Sequence, residues 1–440
     1  MKVFIETLGC PKNLNDSEMA AGIMENAGHS IVKDFHDADI IMVNTCGFIK
    51  DAKVESIDRI FDFVREKKDD VLLIVSGCLT QRYADDLYKD IPEIDIFIGV
   101  NDYERLPDVI KEHKKGVREK HVGATPADFT EARLRKLPEQ TYSTTLKIAE
   151  GCDNACAYCV IPAVRGRYRS RRQEDLTEEA ELLAANGCKE LIIIAQDVTA
   201  YGKDIYGKYA LPDLLRKLCK IDGIVWIRLM YCYEERITDE LIDVIAEEEK
   251  ICNYIDIPLQ HCSDRVLKSM GRRSTAKSIA DAITALRNRI PGVVIRTTLI
   301  TGLPGETEKE FEELVSFVKE MRFERLGTFA YSREEGTAAA EMPGQIDEAI
   351  KKRRQEQIMR RQNEIAFELN KELIGKKLEV LVEGRDLDGR YFGRTRMDAP
   401  EIDNSVLFTS FEELKAGDLV YVMIDRKSTR LNSSHEPLSR

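Results

Sequence analysis

Short apolar runs alternate with amphipathic segments through the first 125 residues of the chain. The apolar runs are rich in Val and Ile and include few polar positions, a pattern typical of strands buried on both faces: KVFIETLGC, ADIIMVNTC and VLLIVSGC. Between them, apolar residues recur with a helical period in NDSEMAAGIMENAG and KVESIDRIFDFVREKK. Residues 1–125 are therefore predicted to form an α/β domain of βαβ units around a parallel sheet.

The same alternation resumes after a polar linker, residues 126–140, and continues to residue 345. Helical patterns such as TEEAELLAANG separate six strand candidates: TTLKIAEGC, ELIIIAQDV, VWIRLMYC, YIDIPLQH, VVIRTTLITG and LGTFAYS. Six βα units in about 200 residues predict a partial TIM-like (βα)6 barrel. A long charged helix over residues 347–373 completes this second domain, 141–373. We interpret it as a solvated connecting helix, with a nucleic-acid contact as the alternative.

Towards its end, the chain changes from long periodic segments to short strands with Gly-containing turns. Residues 374–426 include LEVLVEG, GRYFGRTRMDAPEID, SVLFTS and GDLVYVMID. This pattern predicts a small antiparallel β-barrel. Residues 427–440 lose all hydrophobic alternation, so we expect a disordered tail, with a foreign or frame-shifted tail as a second interpretation.

The composition of the chain indicates in which cellular compartment the protein acts and which kinds of partner it binds. With 43% hydrophobic and 33% charged residues, the 440 residues suit a globular protein. No apolar run reaches the length of a membrane span and MKVFIETLGC lacks the pattern of a signal peptide, so a cytoplasmic protein is expected. Its eleven cysteines should then stay reduced, which makes metal binding the first hypothesis. A net charge of −12 disfavours nucleic acid and favours a basic protein partner.

Three cysteines lie within ten residues in the stretch EGCDNACAYCVIPAVRGRYRSR. They are spaced C-x3-C-x2-C at Cys152, Cys156 and Cys159. Structural zinc uses four ligands, and no second Cys or His pair lies nearby in the sequence. Iron–sulfur clusters, in contrast, are held by thiolates at such short spacings. The stretch follows the first predicted barrel strand, where barrel folds place their chemistry. Three unrelated buried cysteines are the alternative.

Three further cysteines hold equivalent positions in the N-terminal domain. Cys10, Cys46 and Cys78 each stand where an apolar strand ends. Because the carboxyl ends of parallel strands meet at one edge of a sheet, neighbouring strands would bring these thiols together. The alternative is that each is buried as a small hydrophobe. The remaining cysteines show no ligand spacing and are interpreted as structural: Cys188, Cys219, Cys232, Cys252 and Cys262.

The cysteine stretch, with Tyr158 before its last cysteine, resembles the radical S-adenosylmethionine (SAM) superfamily. RTRMDAPEID resembles the start of a TRAM domain, and the three-domain order is similar to that of the methylthiotransferases over residues 1 to about 426. The resemblance implies two 4Fe–4S clusters. Cys152, Cys156 and Cys159 would hold one, whose open iron chelates SAM. Cys10, Cys46 and Cys78 would hold an auxiliary cluster that delivers sulfur.

The resemblance also implies further contacts with SAM. They are Tyr158, Gln196, Asp197, Arg296, Thr301 and Gly302. Gln196 and Asp197 end the predicted strand ELIIIAQD, and the other late positions lie in IRTTLITG. For the Gly-rich TGLPGE, a plain turn is the alternative.

Several motifs resemble the branch of the family that modifies a ribosomal protein rather than tRNA adenosine: LGCPKNLNDSE, IPAVRGRYRSR, IAQDVTAYG, DIPLQHCSDRVLKSMGR and TTLITGLPGETEKEF. Residues 374–426 carry 8 Lys and Arg against 11 Asp and Glu, which suits a basic protein better than tRNA. The basic run RGRYRSRR, in contrast, favours tRNA as the substrate. A tRNA adenosine methylthiotransferase is the nearest alternative, and a non-catalytic metal-binding RNA adaptor is a distant one.

The reaction that this resemblance implies adds a methylthio group to the β-carbon of an aspartate in the twelfth small-subunit ribosomal protein. An unactivated C–H bond offers no acidic proton, so such a reaction relies on cofactors. A one-electron reductant of the flavodoxin or ferredoxin type would start it. The enzyme is expected to act as a monomer, without tRNA or a membrane as partner.

Overall fold

The computed structural model describes residues 1–124, 135–137 and 141–425. The predicted tail, 427–440, lies outside the described residues, as does most of the predicted linker, 126–140. In the described part of the chain, no helix combines the length and apolar character that crossing a bilayer requires.

The N-terminal sheet has six parallel strands in the order β2-β1-β3-β4-β5-β6. Its elements are β1 (Lys2–Thr7), α1 (Pro11–Asn26), β2 (Ser30–Ile31), β3 (Ile40–Thr45), α2 (Lys50–Glu66), β4 (Leu72–Gly77), α3 (Cys78–Asp90), β5 (Ile96–Ile98), α4 (Leu106–Glu112) and β6 (Glu119–His121). The three predicted strands are confirmed as β1, β3 and β4. Strand order reverses between β1 and β3, and open α/β sheets form their ligand crevice at the carboxyl ends of such a pair.

The second sheet is also parallel and has the order β7-β10-β11-β12-β13-β14, so all six predicted strands are confirmed. Its strands and helices are β7 (Ser143–Lys147), β8 (Ala149–Glu150), α5 (Ile161–Arg165), β9 (Arg169–Ser170), α6 (Gln173–Ala185), β10 (Glu190–Ile194), α7 (Lys203–Tyr206), α8 (Leu211–Leu218), β11 (Trp226–Leu229), α9 (Asp239–Glu247), β12 (Ile251–Gln260), α10 (Asp264–Ser269), α11 (Ala276–Arg289), β13 (Val294–Thr301), α12 (Glu308–Met321), β14 (Arg325–Ala330), α13 (Ala338–Glu341) and α14 (Glu348–Lys371). The short strands β8 and β9 form a separate antiparallel pair. The main sheet is an open, partial barrel.

One face of the long helix α14 is buried. The interpretation of this segment as a solvated connecting helix is therefore wrong for that face. Lys351, Arg354, Ile358 and Ile365 are buried, and the helix packs against β14 and α12. The Arg354 guanidinium lies 2.8 Å from the Glu306 carboxylate. Part of the charged run KKRRQ therefore holds the helix on the barrel, where apolar periodicity alone gave no sign of a buried face.

The C-terminal sheet is antiparallel, with the order β17-β16-β15-β18. Its strands are β15 (Lys377–Arg385), β16 (Tyr391–Thr395), β17 (Val406–Phe408) and β18 (Leu419–Met423). Leu381 and Ala399 pack with Trp226 and Tyr254 of the barrel sheet. This contact places the small domain against the face of the barrel sheet opposite to its helices.

A buried ion cluster joins the barrel to this C-terminal sheet. Glu190, at 0% exposure, pairs with Arg228 at 2.8 Å and with Arg394 at 2.6 Å. Burial by itself raises the pKa of Glu190, but the two guanidinium groups outweigh it and lower the pKa to about 2. The usual value is 4.5. Glu190 therefore stabilises the fold above pH 4.5, and this contribution is lost as the pH falls towards 2.

We expect this loss to amount to about 3 kcal/mol in the free energy of unfolding. Urea titrations between pH 7 and pH 2.5 would measure it. Glu190→Gln should be less stable at pH 7 and should lose less on acidification than the wild type. Equal pH dependence of the two proteins would contradict a role for Glu190.

Candidate active site

The cysteine loop begins where β8 ends, beside the first strand of the barrel. Cys152, Cys156 and Cys159 are free thiols. The backbone N–H of Asn154 donates to Cys152 Sγ at 3.4 Å, and that of Ile161 donates to Cys159 Sγ at 3.5 Å. Such donors stabilise a thiolate over a thiol.

Gly151 allows this loop its tight start. It has φ +81°, and a Cβ at this position would lie 2.0 Å from the carbonyl oxygen of Arg167. A larger residue would therefore displace the loop from the strand that carries it.

Burial acts against ionisation of Cys152 and Cys159. Together with the neighbouring Cys156, it raises the pKa of Cys152 to about 11 and that of Cys159 to about 12. A bound metal group would supply the positive charge that favours the thiolates.

The second group of cysteines lies where the N-terminal sheet has its crevice. Cys10 precedes α1, Cys46 follows β3, and Cys78 begins α3, so all three lie at the carboxyl ends of neighbouring strands. Burial raises the pKa of Cys46 to about 12, and the thiols of Cys10 and Cys78 add to the shift. Gly9 permits this approach, because a Cβ there would lie 2.9 Å from Cys46 Sγ.

Asn13 organises the same three strand ends. Its Nδ2 donates to the carbonyl of Leu8 at 2.9 Å and to that of Thr45 at 3.1 Å. Its Oδ1 accepts from Cys78 Sγ at 3.7 Å. One amide therefore fixes the backbone before Cys10 and Cys46 and touches the third cysteine.

The donor set at each group fits an iron–sulfur cluster. Each group offers three thiols, the usual ligands of such clusters. Within the described residues, no three Cys, His, Asp or Glu side chains converge as ligands of a single ion. Structural zinc normally takes four protein ligands, so three thiols suit a cluster better.

Buried charges link the two groups of cysteines. Arg165, only 2% exposed, donates to Cys78 Sγ at 3.3 Å and to the Asn13 amide oxygen at 2.8 Å. It also lies 2.8 Å from the Asp16 carboxylate and 3.0 Å from that of Glu150. Lys147 completes the network, because its ammonium lies 2.8 Å from Asp16 and 3.1 Å from Glu150. Glu150 precedes Cys152 by two residues, so the network joins both cysteine sites.

This network explains the polar character of LGCPKNLNDSE. Helix α1 buries polar side chains at the interface of the two domains: Asn13, Asn15, Asp16, Ser17 and Glu18. Glu18 lies 2.6 Å from Arg135, a described residue of the predicted linker. Sequence reasoning identified the motif but not these roles. The available signal was a helix with polar residues on the face that should have been apolar.

Two of the predicted SAM contacts lie beside the cysteine loop. Asp197 accepts from Asn154 Nδ2 at 2.9 Å and lies 2.8 Å from Arg236. Its carboxylate therefore holds the cysteine loop in place. The neighbouring Gln196 donates to Glu150, and its side-chain oxygen is buried without a hydrogen-bond partner among the described residues.

The other predicted SAM contacts lie in two different parts of the structure. Tyr158 packs with Ile300 and Leu303, so the end of β13 adjoins the cysteine loop. At that end, Gly302 N–H donates to Glu306 at 2.7 Å and Thr301 Oγ1 donates to the carbonyl of Lys351 at 3.4 Å. Arg296, in contrast, pairs with Asp256 at 3.0 Å and with Asp403 of the C-terminal domain at 3.4 Å.

Arg272 is a candidate that sequence reasoning missed. Its guanidinium lies 4.4 Å from the ring centroid of Tyr233 and 3.3 Å from Glu234. Its Nε and Nη1 atoms are buried without a partner among the described residues. Burial lowers its pKa, but the surrounding groups outweigh burial and raise it: Tyr158, Tyr233, the Glu234 carboxylate and Cys156. A fixed cation with free donors beside the cysteine loop suits a carboxylate.

Family profiles match all three parts of the chain. Residues 146–318 match the Radical SAM superfamily, residues 374–429 match the TRAM domain, and residues 2–99 match uncharacterized protein family UPF0004. Solved structures of radical SAM enzymes share the fold. The methyltransferase TsrM from Kitasatospora setae, with cobalamin and a [4Fe-4S] cluster bound, superposes with a TM-score of 0.59 at 16% identity, covering 77% of this chain and 76% of its own. The cobalamin-dependent enzyme OxsB superposes with a TM-score of 0.53 at 14% identity, covering 82% of this chain and 56% of its own.

The fold and the cysteine loop thus define a radical SAM enzyme with a TRAM domain, which uses an iron–sulfur cluster and SAM. Curated relatives give the particular family. The chain is 48% identical over 427 residues to the ribosomal protein uS12 methylthiotransferase RimO of Clostridioides difficile, covering 97% of this chain and 96% of that protein. It is 50% identical over 423 residues to RimO of Thermoanaerobacter sp., covering 96% and 97%. The chain belongs to the RimO family of methylthiotransferases.

Proposed function

We propose that this chain binds two 4Fe–4S clusters and transfers a methylthio group to the β-carbon of an aspartate in ribosomal protein uS12. The buried link from Cys78 through Arg165 to Glu150, beside Cys152, carries this proposal. This link supports one connected site for both sets of three thiols, because a reaction with a radical step and a sulfur-transfer step requires the two sets to lie near each other.

Each set of cysteines has its own part in this proposal. Cys152, Cys156 and Cys159 hold the cluster that binds SAM, and Cys10, Cys46 and Cys78 hold the auxiliary cluster. When bound, the clusters and SAM supply the one-electron chemistry that an unactivated C–H bond requires. Asn154 and Ile161 donate to the thiolates of the first set, while Arg165 and Asn13 hold Cys78.

The remaining residues bind and orient SAM. Gln196 offers to an amino group a side-chain oxygen that has no partner in the described structure, and Arg272 offers to a carboxylate two nitrogens that likewise have none there. Tyr158 and the β13 end at Thr301 and Gly302 form the neighbouring wall. Asp197 and Arg296 take positioning roles here, because their charged groups are already paired with protein groups.

Charge supports the choice of partner. The chain carries −12 overall, and residues 374–426 have more acidic than basic side chains. A basic ribosomal protein is attracted to such a surface, whereas tRNA is repelled. The enzyme acts as a monomer in the cytoplasm, with a flavodoxin- or ferredoxin-type protein as its one-electron donor.

Product analysis tests the function directly. The protein, reconstituted with iron and sulfide under anaerobic conditions, would be incubated with SAM and dithionite, with uS12 and bulk tRNA offered in parallel. Mass spectrometry should show one methylthio group on a single aspartate of uS12. The same group on tRNA adenosine would overturn the choice of substrate, and SAM cleavage without either product would overturn the sulfur-transfer role.

A further inference from the structure

Lys12 is a buried lysine whose charge is not balanced by an ion pair within the described part of the chain. It lies two residues after Cys10, at the start of α1, and is 8% exposed. Its ammonium lies 3.5 Å from the ring centroid of Tyr231. Among the described residues, no carboxylate lies within ion-pair distance of this ammonium. A buried cation is ordinarily paired, so the arrangement leaves room for an anion from outside the chain.

Lys12 lies at the junction of the N-terminal domain and the barrel. It is in the first turn of α1, two residues after Cys10, and its ammonium covers the ring of a barrel residue, Tyr231. The carbonyl of Tyr231 accepts from the backbone N–H that follows Asp197, and the Asp197 carboxylate accepts from Asn154 of the cysteine loop at 2.9 Å. The ammonium therefore has Cys10 on one side and, through Tyr231 and Asp197, a connection to the cysteine loop on the other.

Tyr231 is held firmly beneath the ammonium. It adopts φ +58°, a left-handed conformation that a tyrosine rarely takes and that the surrounding structure must enforce. Its N–H donates to Asp256 at 2.9 Å, and its carbonyl accepts from Val198 N–H at 3.1 Å. These two hydrogen bonds fix the backbone of Tyr231 just after the end of β11, and its ring lies under the Lys12 ammonium.

The other charges near this ring are already paired. Asp256 accepts from Tyr231 N–H and lies 3.0 Å from Arg296, which also lies 3.4 Å from Asp403. Among the described residues of this group, the ammonium of Lys12 has no oppositely charged partner. One additional carboxylate would neutralise it.

We propose that the ammonium of Lys12 binds the side-chain carboxylate of the target aspartate. This inference rests on the proposed function and names the residue that recognises its substrate. The carboxylate is attached directly to the β-carbon, so binding it places the reacting carbon at the junction of the two domains that carry the cysteine groups. An asparagine or another neutral residue at the target position would leave the ammonium unpaired, which gives the site its selectivity for an acid.

A double-mutant cycle between enzyme and substrate tests this contact. The enzyme, loaded with clusters and SAM but without reductant, would be titrated with uS12 carrying either the target aspartate or asparagine at that position. The aspartate form should bind the wild type about tenfold more tightly, as expected for a charge-assisted contact. Lys12→Met should bind both forms with less than a twofold difference. Lys12→Arg, which keeps the charge, should retain part of the preference.

Lys377→Met is the matched control. The Lys377 ammonium also lies over a tyrosine ring, that of Tyr421, at 5.1 Å in the C-terminal domain. This variant should keep the full preference for aspartate. Iron and sulfide contents show that each variant is loaded, and Lys12→Gln, which is also uncharged and should lose the preference, provides the test if Lys12→Met loses its clusters.

Two outcomes would overturn the inference, and they are distinguishable. A preference for aspartate that is equal in wild type and Lys12→Met would show that Lys12 has only a structural role, while leaving the proposed function intact. A wild-type enzyme that does not bind uS12 at all would overturn the proposed function, and this inference with it.

Discussion

Arg165→Met should weaken the attachment of the N-terminal domain to the barrel and destabilise the metal-free protein by about 3–5 kcal/mol. The guanidinium lies among the carboxylates of Asp16 and Glu150, the amide of Asn13 and the sulfur of Cys78. Without it, two buried carboxylates share the single ammonium of Lys147. An uncompensated buried charge costs more than the loss of a surface ion pair, so the effect should be large.

Urea unfolding of the metal-free protein would measure this effect without any contribution from clusters. Arg167→Met is the control, since Arg167 is an exposed arginine in the same basic run. It should change the free energy of unfolding by no more than about 0.5 kcal/mol. If the loaded protein holds the proposed auxiliary cluster, Arg165→Met should also lower the reduction potential of that cluster, because the positive hydrogen-bond donor to Cys78 is gone. Similar stability of the two variants would contradict the linking role of Arg165.

The contrast between Arg165 and the cysteines shows which parts of the site could be predicted from the sequence. The grouping of the cysteines was predictable because their fixed spacing, or their position at matched strand ends, is a local pattern, while their role as cluster ligands stays a prediction. The observed order β1-β3-β4 then brings Cys10, Cys46 and Cys78 together. The partner of Arg165 at Asn13 lies 152 residues away, and no local pattern indicates such a pair.

In the fold, too, some elements could be predicted from a local sequence pattern and others could not. Long buried strands were predictable from their apolar runs, whereas β2, β5 and β6 have only two or three residues and show no alternation. Helix α14 gave the opposite problem, because Lys351 and Arg354 bury their stems and pair their charged ends. Charge in a sequence does not distinguish a solvated face from a buried ion pair.

Cys156→Ser and Cys46→Ser should abolish methylthio transfer at different steps. Each substitution removes one thiolate from one group, so iron should fall from about eight to about four atoms per chain. Cys156→Ser should lose SAM cleavage below detection, because Cys156 belongs to the loop that is proposed to hold the SAM-binding cluster. Cys46→Ser should still cleave SAM, since Cys46 lies at the end of β3 in the other domain.

Cys252→Ser, at a buried cysteine that packs with the C-terminal domain, is the control and should keep all its iron. Iron analysis with chromatography of the SAM products would separate the three proteins. If Cys46→Ser lost SAM cleavage as completely as Cys156→Ser, the two groups would not hold independent clusters. The retained cleavage, if observed, would place radical generation in the barrel and sulfur transfer in the N-terminal domain.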